Sequence, residues 1–183
     1  NEDDGYDNMT AGININYAAT SEHTLIANLR TVQYENDYDG TDFVTTGLPA
    51  DSDNVTDGSQ ISAKLRWEFA PENTGYRSAL SAHYRKDDND NTESGADTGG
   101  TTGERIELNW TGFYTMDNWD FAGGVEYLQR LFTQRGPIAF GDPNQKQHDN
   151  TYSVFAETNG QLTESLTATL SARFDNNSEF DNA

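Results

Sequence analysis

The chain has 183 residues, enough for one domain, and its 31 acidic against 11 basic residues leave a formal charge of -20. That balance excludes nucleic-acid binding by phosphate neutralisation, and the absence of cysteine excludes a disulfide framework, a thiolate metal site and a thiol nucleophile. No apolar run approaches the roughly 20 residues of a membrane-spanning helix, and no charged-then-apolar stretch reads as an export leader.

In chain order, strand-like runs begin near Gly12, Thr24, Ser59, Tyr76, Glu104, Trp119, Asn150 and Leu166. The first sets Ile13, Ile15 and Tyr17 against Asn14 and Asn16. The third sets Ile61, Ala63, Leu65, Trp67 and Phe69 against Ser62, Lys64, Arg66 and Glu68. The fifth sets Ile106, Leu108, Trp110, Gly112 and Tyr114 against Glu107, Asn109, Thr111 and Phe113. The eighth sets Leu166, Ala168, Leu170, Ala172 and Phe174 against Thr167, Thr169, Ser171 and Arg173. Period two with one dry and one wet face is the signature of a strand, and helical spacing does not reproduce it.

Short joints at 20–23, 71–75, 116–118 and 159–165 alternate with long acidic joints at 36–58, 86–103 and 133–149. Short turns at one end and long loops at the other are the layout of an outer-membrane β-barrel. Pro49, Pro71, Pro137 and Pro143 all fall in joints, as ladder hydrogen bonding requires. Gly123 and Gly124 mark either a bulge or a close backbone approach. The predicted fold class is therefore all-β: an antiparallel up-and-down meander of about eight strands, part of a transmembrane β-barrel.

Aromatic residues gather near strand ends: Tyr17, Tyr34, Trp67, Phe69, Tyr76, Tyr84, Trp110, Tyr114, Trp119, Phe121, Tyr152 and Phe174. In a barrel they are interfacial girdles; in a soluble sandwich they are core. The second face carries Asn14, Asn16, Asn28, Arg30, Lys64, Arg66, Arg77, His83, Arg85 and Glu107, which suits a wet lumen.

Glu35, Asp37, Asp39 and Asp42 cluster beside Gly40, with Asp51, Asp53 and Asp57 after them; hard oxygen ligands of this kind are what calcium takes. The run Asp87-Asp88-Asn89-Asp90 reads as a solvated loop. His23, in a short turn, and His148, in a long loop, fall at opposite ends, so with His83 they make no shared metal site. No nucleophile elbow, phosphate-cradling glycine loop or His-Glu-x-x-His occurs, and the chain reads as a non-enzyme.

Several segments, in order along the chain, resemble the barrel of TonB-dependent outer-membrane receptors, nearest the cobalamin-receptor branch. They are Glu2-Asp3-Asp4-Gly5-Tyr6, Tyr34-Glu35-Asn36, Leu48-Pro49, Ala63-Lys64-Leu65-Arg66-Trp67, and Ala172-Arg173-Phe174-Asp175-Asn176-Asn177-Ser178-Glu179-Phe180. The last resembles the family's small-Arg-x-Asp-(Asp/Asn)-(Asn)-Ser-x-Phe segment at the outer end of a barrel strand. The resemblance implies that residues 1–183 form a partial barrel domain, about eight of some twenty-two strands, without plug domain or TonB box. It implies a bacterial outer-membrane location, lipid and a small metal chelate such as a corrinoid or siderophore as partners, and TonB acting through other parts of the parent. It further implies calcium near Glu2, Asp4, Tyr34, Glu35 and Asp51, with Glu2 and Glu35 standing where the family has Asp. Tyr38, Phe43, Phe132, Gln134, Arg135 and Phe140 are the candidate ligand contacts.

Two other readings stay open: a complete eight-stranded barrel with a structural or adhesive role, in which the first and last strands pair, and a soluble calcium-dependent β-sandwich. An arc folding alone is expected to close on itself or to pair its free edges with a second copy.

Overall fold

The alternating runs form strands, and their hydrogen bonds all fall within one sheet. The computed structural model describes residues 5–41, 45–138 and 141–178. Its strands are β1 (Tyr6–Ala18), β2 (His23–Thr41), β3 (Pro49–Phe69), β4 (Tyr76–Glu93), β5 (Ala96–Met116), β6 (Trp119–Arg135), β7 (Gln145–Thr163) and β8 (Leu166–Asn177). Each pairs antiparallel with the next in the order β1-β2-β3-β4-β5-β6-β7-β8. The meander of eight strands is as predicted. Among the described residues the sheet is not closed: β1 and β8 do not pair, and there is no second sheet to stack on the first. Both the eight-stranded closed barrel and the two-sheet sandwich therefore fail as descriptions of this chain's fold, as does closure of the arc on itself.

The strands are much longer than their apolar runs. The expected joint at 36–58 shrinks to 42–48, and that at 133–149 to 136–144. The joint at 86–103 becomes a two-residue turn, Ser94 and Gly95, with φ of 50° and 76°. Two successive positive φ values match the right-handed twist of the flanking strands, which is why such hairpins favour glycine there. The Asp87–Asp90 run and His148 thus lie in strands, not in loops.

One register row crosses the whole sheet on the apolar face: Tyr17, Leu25, Trp67, Leu80, Trp110, Val125, Val154 and Phe174. The row stands two residues from the start of β2 (25 − 23), four from that of β4 (80 − 76), six from β6 (125 − 119) and eight from β8 (174 − 166). The short turns therefore recede by about one residue per strand. With roughly 3.3 Å per residue and 4.8 Å between strands, a line through the turns makes an angle of about 35° with the strand perpendicular. Barrel closure demands a tilt of that size.

Burial is inverted relative to a soluble protein. Leu65 is 55% exposed, Val125 51% and Leu170 73%, whereas Ser81 on the polar face is 4% exposed. Among the described residues only Val32 and Ala79 are buried apolar side chains, and both sit on the polar face.

Glycines let aromatic rings lie flat on the sheet. A Cβ on Gly58 would clash with the ring of its cross-strand partner Tyr34, and one on Gly160 with that of Trp119. Gly123 and Gly124 keep regular pairing and form no bulge; Gly124 is a close approach, 2.7 Å from the Phe155 ring to a built Cβ.

Candidate functional site

Three surfaces carry the chemistry. The first is the apolar belt. On β5 it runs from Ile106 through Leu108, Trp110, Gly112 and Tyr114 to Met116. Ten residue steps at roughly 3.3 Å, tilted about 40°, span about 25 Å, the height of a barrel's lipid-facing band. At the short-turn end the belt is edged by rings. His23 stacks on Phe69 at 4.8 Å and on Trp67 at 5.6 Å, the Trp67 indole N–H donates to His23 Nδ1 at 3.1 Å, and Trp119 stacks on Phe121 at 6.3 Å. At the other edge Tyr127 lies 5.0 Å from Tyr152 and donates to Asn150 at 3.0 Å. Of the predicted girdle residues, Tyr34 is the exception: it lies on the polar face.

The second surface is on the same face, farther from the short turns. Asp7, Glu35, Asp57 and Asp90 stand side by side in one row across β1–β4. Asp57 above all, then Asp37, raises the pKa of Glu35, because like charges disfavour ionisation. Asp90 is compensated. Its neighbour in the row is Gly100, whose missing side chain lets Arg135 reach across β5 to Asp90 at 2.6 Å, while also holding Asp97 at 2.5 Å. The Gly99 backbone N–H and then Arg135 hold Asp97 below the usual carboxylate range.

The third surface is the polar face. In register row, Arg30, Ser62, Arg85, Arg105 and Arg130 stand next to one another on β2–β6 and end at Asp149 on β7. Arg85 pairs with Asp87 at 2.7 Å, Arg105 with Glu107, and Arg130 with Asp149 at 2.6 Å. Ser62 Oγ and His83 Nε2 are 3.0 Å apart, but His83 Nδ1 is 3.9 Å from Glu107, too far for a hydrogen bond, and Arg105 engages that carboxylate. These three side chains do not form a continuous relay.

The candidates separate across these surfaces. Glu35 and Asp37 face outward with the belt, whereas Tyr34 points to the polar face, where its ring lies 6.4 Å from Tyr6 and its hydroxyl bonds Asn89. Adjacent residues of a strand take opposite faces, so Tyr34 and Glu35 do not converge on one ion. Asp39 sits at the irregularity between Tyr38 and Gly40. Asp51 is in β3. Glu2, Asp4, Phe43 and Phe140 lie outside the described residues. No group of three or more His, Asp or Glu side chains is placed to hold a metal ion among the described residues. Tyr38, Phe132 and Gln134 share the polar face, but β3, β4 and β5 lie between Tyr38 and the other two, a sideways separation alone of about 19 Å. Arg135 is on the other face, bound to its two aspartates. The arginine row escaped the sequence reading, since its members are 55, 20 and 25 residues apart and only register aligns them.

No protein-family model matches the chain, and no curated protein matches it.

Proposed function

We propose that the chain forms part of the wall of a bacterial outer-membrane β-barrel that takes up a solute, its apolar face in lipid and its polar face lining the lumen. One observation carries the reading: large apolar side chains are exposed in a continuous belt of about 25 Å while the polar face is the better covered. The aromatic edges and the stagger of one residue per strand support it. The open edges of β1 and β8 support an arc of a larger wall rather than a whole barrel.

Within that reading we favour a TonB-dependent receptor, with a corrinoid or siderophore chelate as cargo and no chemical step of its own. Its motif residues give it its support. Arg173 and Asp175, in the second half of β8, pair at 2.9 Å, and Arg173 also reaches Glu126 at 2.6 Å. Calcium would require Glu2 or Asp4 to join the outward acids Asp7, Glu35 and Asp57, which by themselves do not make a cage.

The test is quenching of Trp67, Trp110 and Trp119 by brominated acyl chains after refolding into vesicles. Quenching that deepens as bromine approaches these rings is expected; its absence sinks the membrane reading. The cargo is tested by calorimetry on the parent receptor with cobalamin and with a ferric siderophore, each with and without calcium. Failure of all four titrations removes the chelate assignment and leaves the barrel standing.

A further inference from the structure

On β1–β3 the polar face behind the belt carries a single carboxylate, Glu68 at the short-turn edge, and beyond it a four-row patch contains none. Its positions are Thr10, Gly12, Asn14 and Asn16; Ile26, Asn28, Arg30 and Val32; and Gln60, Ser62, Lys64 and Arg66. Three cations and no acid in this patch stand out in a chain of 31 acidic residues. Arg66 is satisfied by Glu68 at 2.7 Å. Arg30 and Lys64 make no ion pair or side-chain hydrogen bond among the described residues. Every other arginine of the polar face has a carboxylate, or in the case of Arg77 the Phe113 ring at 4.8 Å.

Their setting makes the missing counter-charge consequential. Leu29, Ala63 and Leu65, the chain neighbours of these two cations, point into the belt. On the proposed membrane reading, Arg30 and Lys64 are therefore at bilayer depth with hydrocarbon behind them and lumen water in front. Ionisable groups at that depth mark solute pathways, and a low-dielectric wall strengthens their field. Arg30 is opposite Ser62, and Lys64 is opposite Asn28, so the two cations are diagonal neighbours across β2 and β3. Such neighbours are about 7–8 Å apart, close enough for both side chains to grip one carboxylate or phosphate. Asn28, whose amide donates to Asn14 at 2.6 Å, and Ser62 lie between them as further polar partners.

We propose that Arg30 and Lys64 form an anion-binding station on the lumen wall, taking a compact carboxylate or phosphate group of the passing solute. Asp87 and Glu107 bound the station on the β4–β5 side, so it suits a small anion rather than a polyanion. The inference rests on the barrel reading, and the two are tested separately.

The experiment is inorganic phosphate, then citrate, titrated at constant ionic strength onto the full chain in lipid nanodiscs. Side-chain nitrogen resonances of Arg and Lys are followed, and brominated-lipid quenching is measured on the same sample. Saturable shifts confined to Arg30 and Lys64 are expected. The double variant Arg30→Gln/Lys64→Gln should weaken binding about tenfold or more, and Arg30→Lys/Lys64→Arg should keep it within a few-fold. Shifts that do not saturate, or that appear equally at Lys86 and Lys146, overturn the station; so does a Gln variant that binds as well. If the Gln variant does not fold, the site-resolved shifts of the unaltered chain decide. Loss of quenching with the shifts intact overturns the barrel reading instead.

Discussion

On β1, β2 and β3 the same face of the same sheet has two opposite characters. Near the short turns it presents Ile13, Leu29 and Leu65; six residues farther up β1 and β2, about 20 Å away, it presents Asp7 and Glu35, with Asp57 beside them on β3. Backbone pairing is the same in both zones, so strand geometry does not account for the change. On the proposed membrane reading the difference lies in the medium each zone meets: a hydrocarbon-facing stretch cannot carry unpaired carboxylates, and a water-facing stretch does not need apolar cover.

The largest expected effect breaks this comparison in the belt. Leu108→Arg should cost about 2–4 kcal/mol of folding free energy in vesicles, while Gln33→Arg, on the same face in the acidic zone, should cost nothing or stabilise. Urea unfolding from vesicles measures both, and equal costs would mean that the two zones share one solvent. Next come the covered glycines, one at each end of the sheet. Gly160→Val and Gly58→Val drive a branched side chain into Trp119 and Tyr34, and each should lose about 1–3 kcal/mol in the same assay. Similar losses would show that register is equally strict near the short turns and far from them.

A smaller effect concerns the compensated end of the acidic row. Arg135→Gln should lower the melting temperature at neutral pH by leaving Asp90 and Asp97 without their cation. Because Asp97 is held low, its stabilisation is present above the ordinary aspartate range and is lost as pH falls through the lowered value. The variant should therefore lose less on acidification than the parent chain, which a melting series against pH reads. The smallest effect is at the uncompensated end. Glu35 is raised, so its contribution is best below the ordinary glutamate range and is lost as pH rises through the raised value. Glu35→Gln should raise the melting temperature at neutral pH and change nothing in acid, and added salt should shrink the gain. A gain that persists in acid would exclude charge repulsion as its cause.

The belt strands were legible because one face is dry. In 61–69 and 106–114 each second residue is apolar or glycine, and the structure keeps that phase without a slip. The upper halves were not legible. In 86–103 both faces are polar, so the alternation that identifies a strand disappears and the segment reads as a loop. Only Ser94 and Gly95 remain as a turn signal. The site suffered from a related blindness: the resemblance groups Tyr34 and Glu35 as ligands of one ion at the end of the second strand, but as adjacent residues of that strand they occupy opposite faces.

The sequence by itself determined the strand number, the two faces and the level of the aromatic edges, because these follow from side-chain alternation along a single strand. Tertiary structure alone decided how far the strands run, that β1 and β8 stay unpaired, and which residues share a row. Register depends on hydrogen bonding between strands and on the length of each turn, neither of which is a property of any one strand. The arginines at 30, 85, 105 and 130 share a row for that reason, and Arg135 meets Asp90 only across the bare backbone of Gly100.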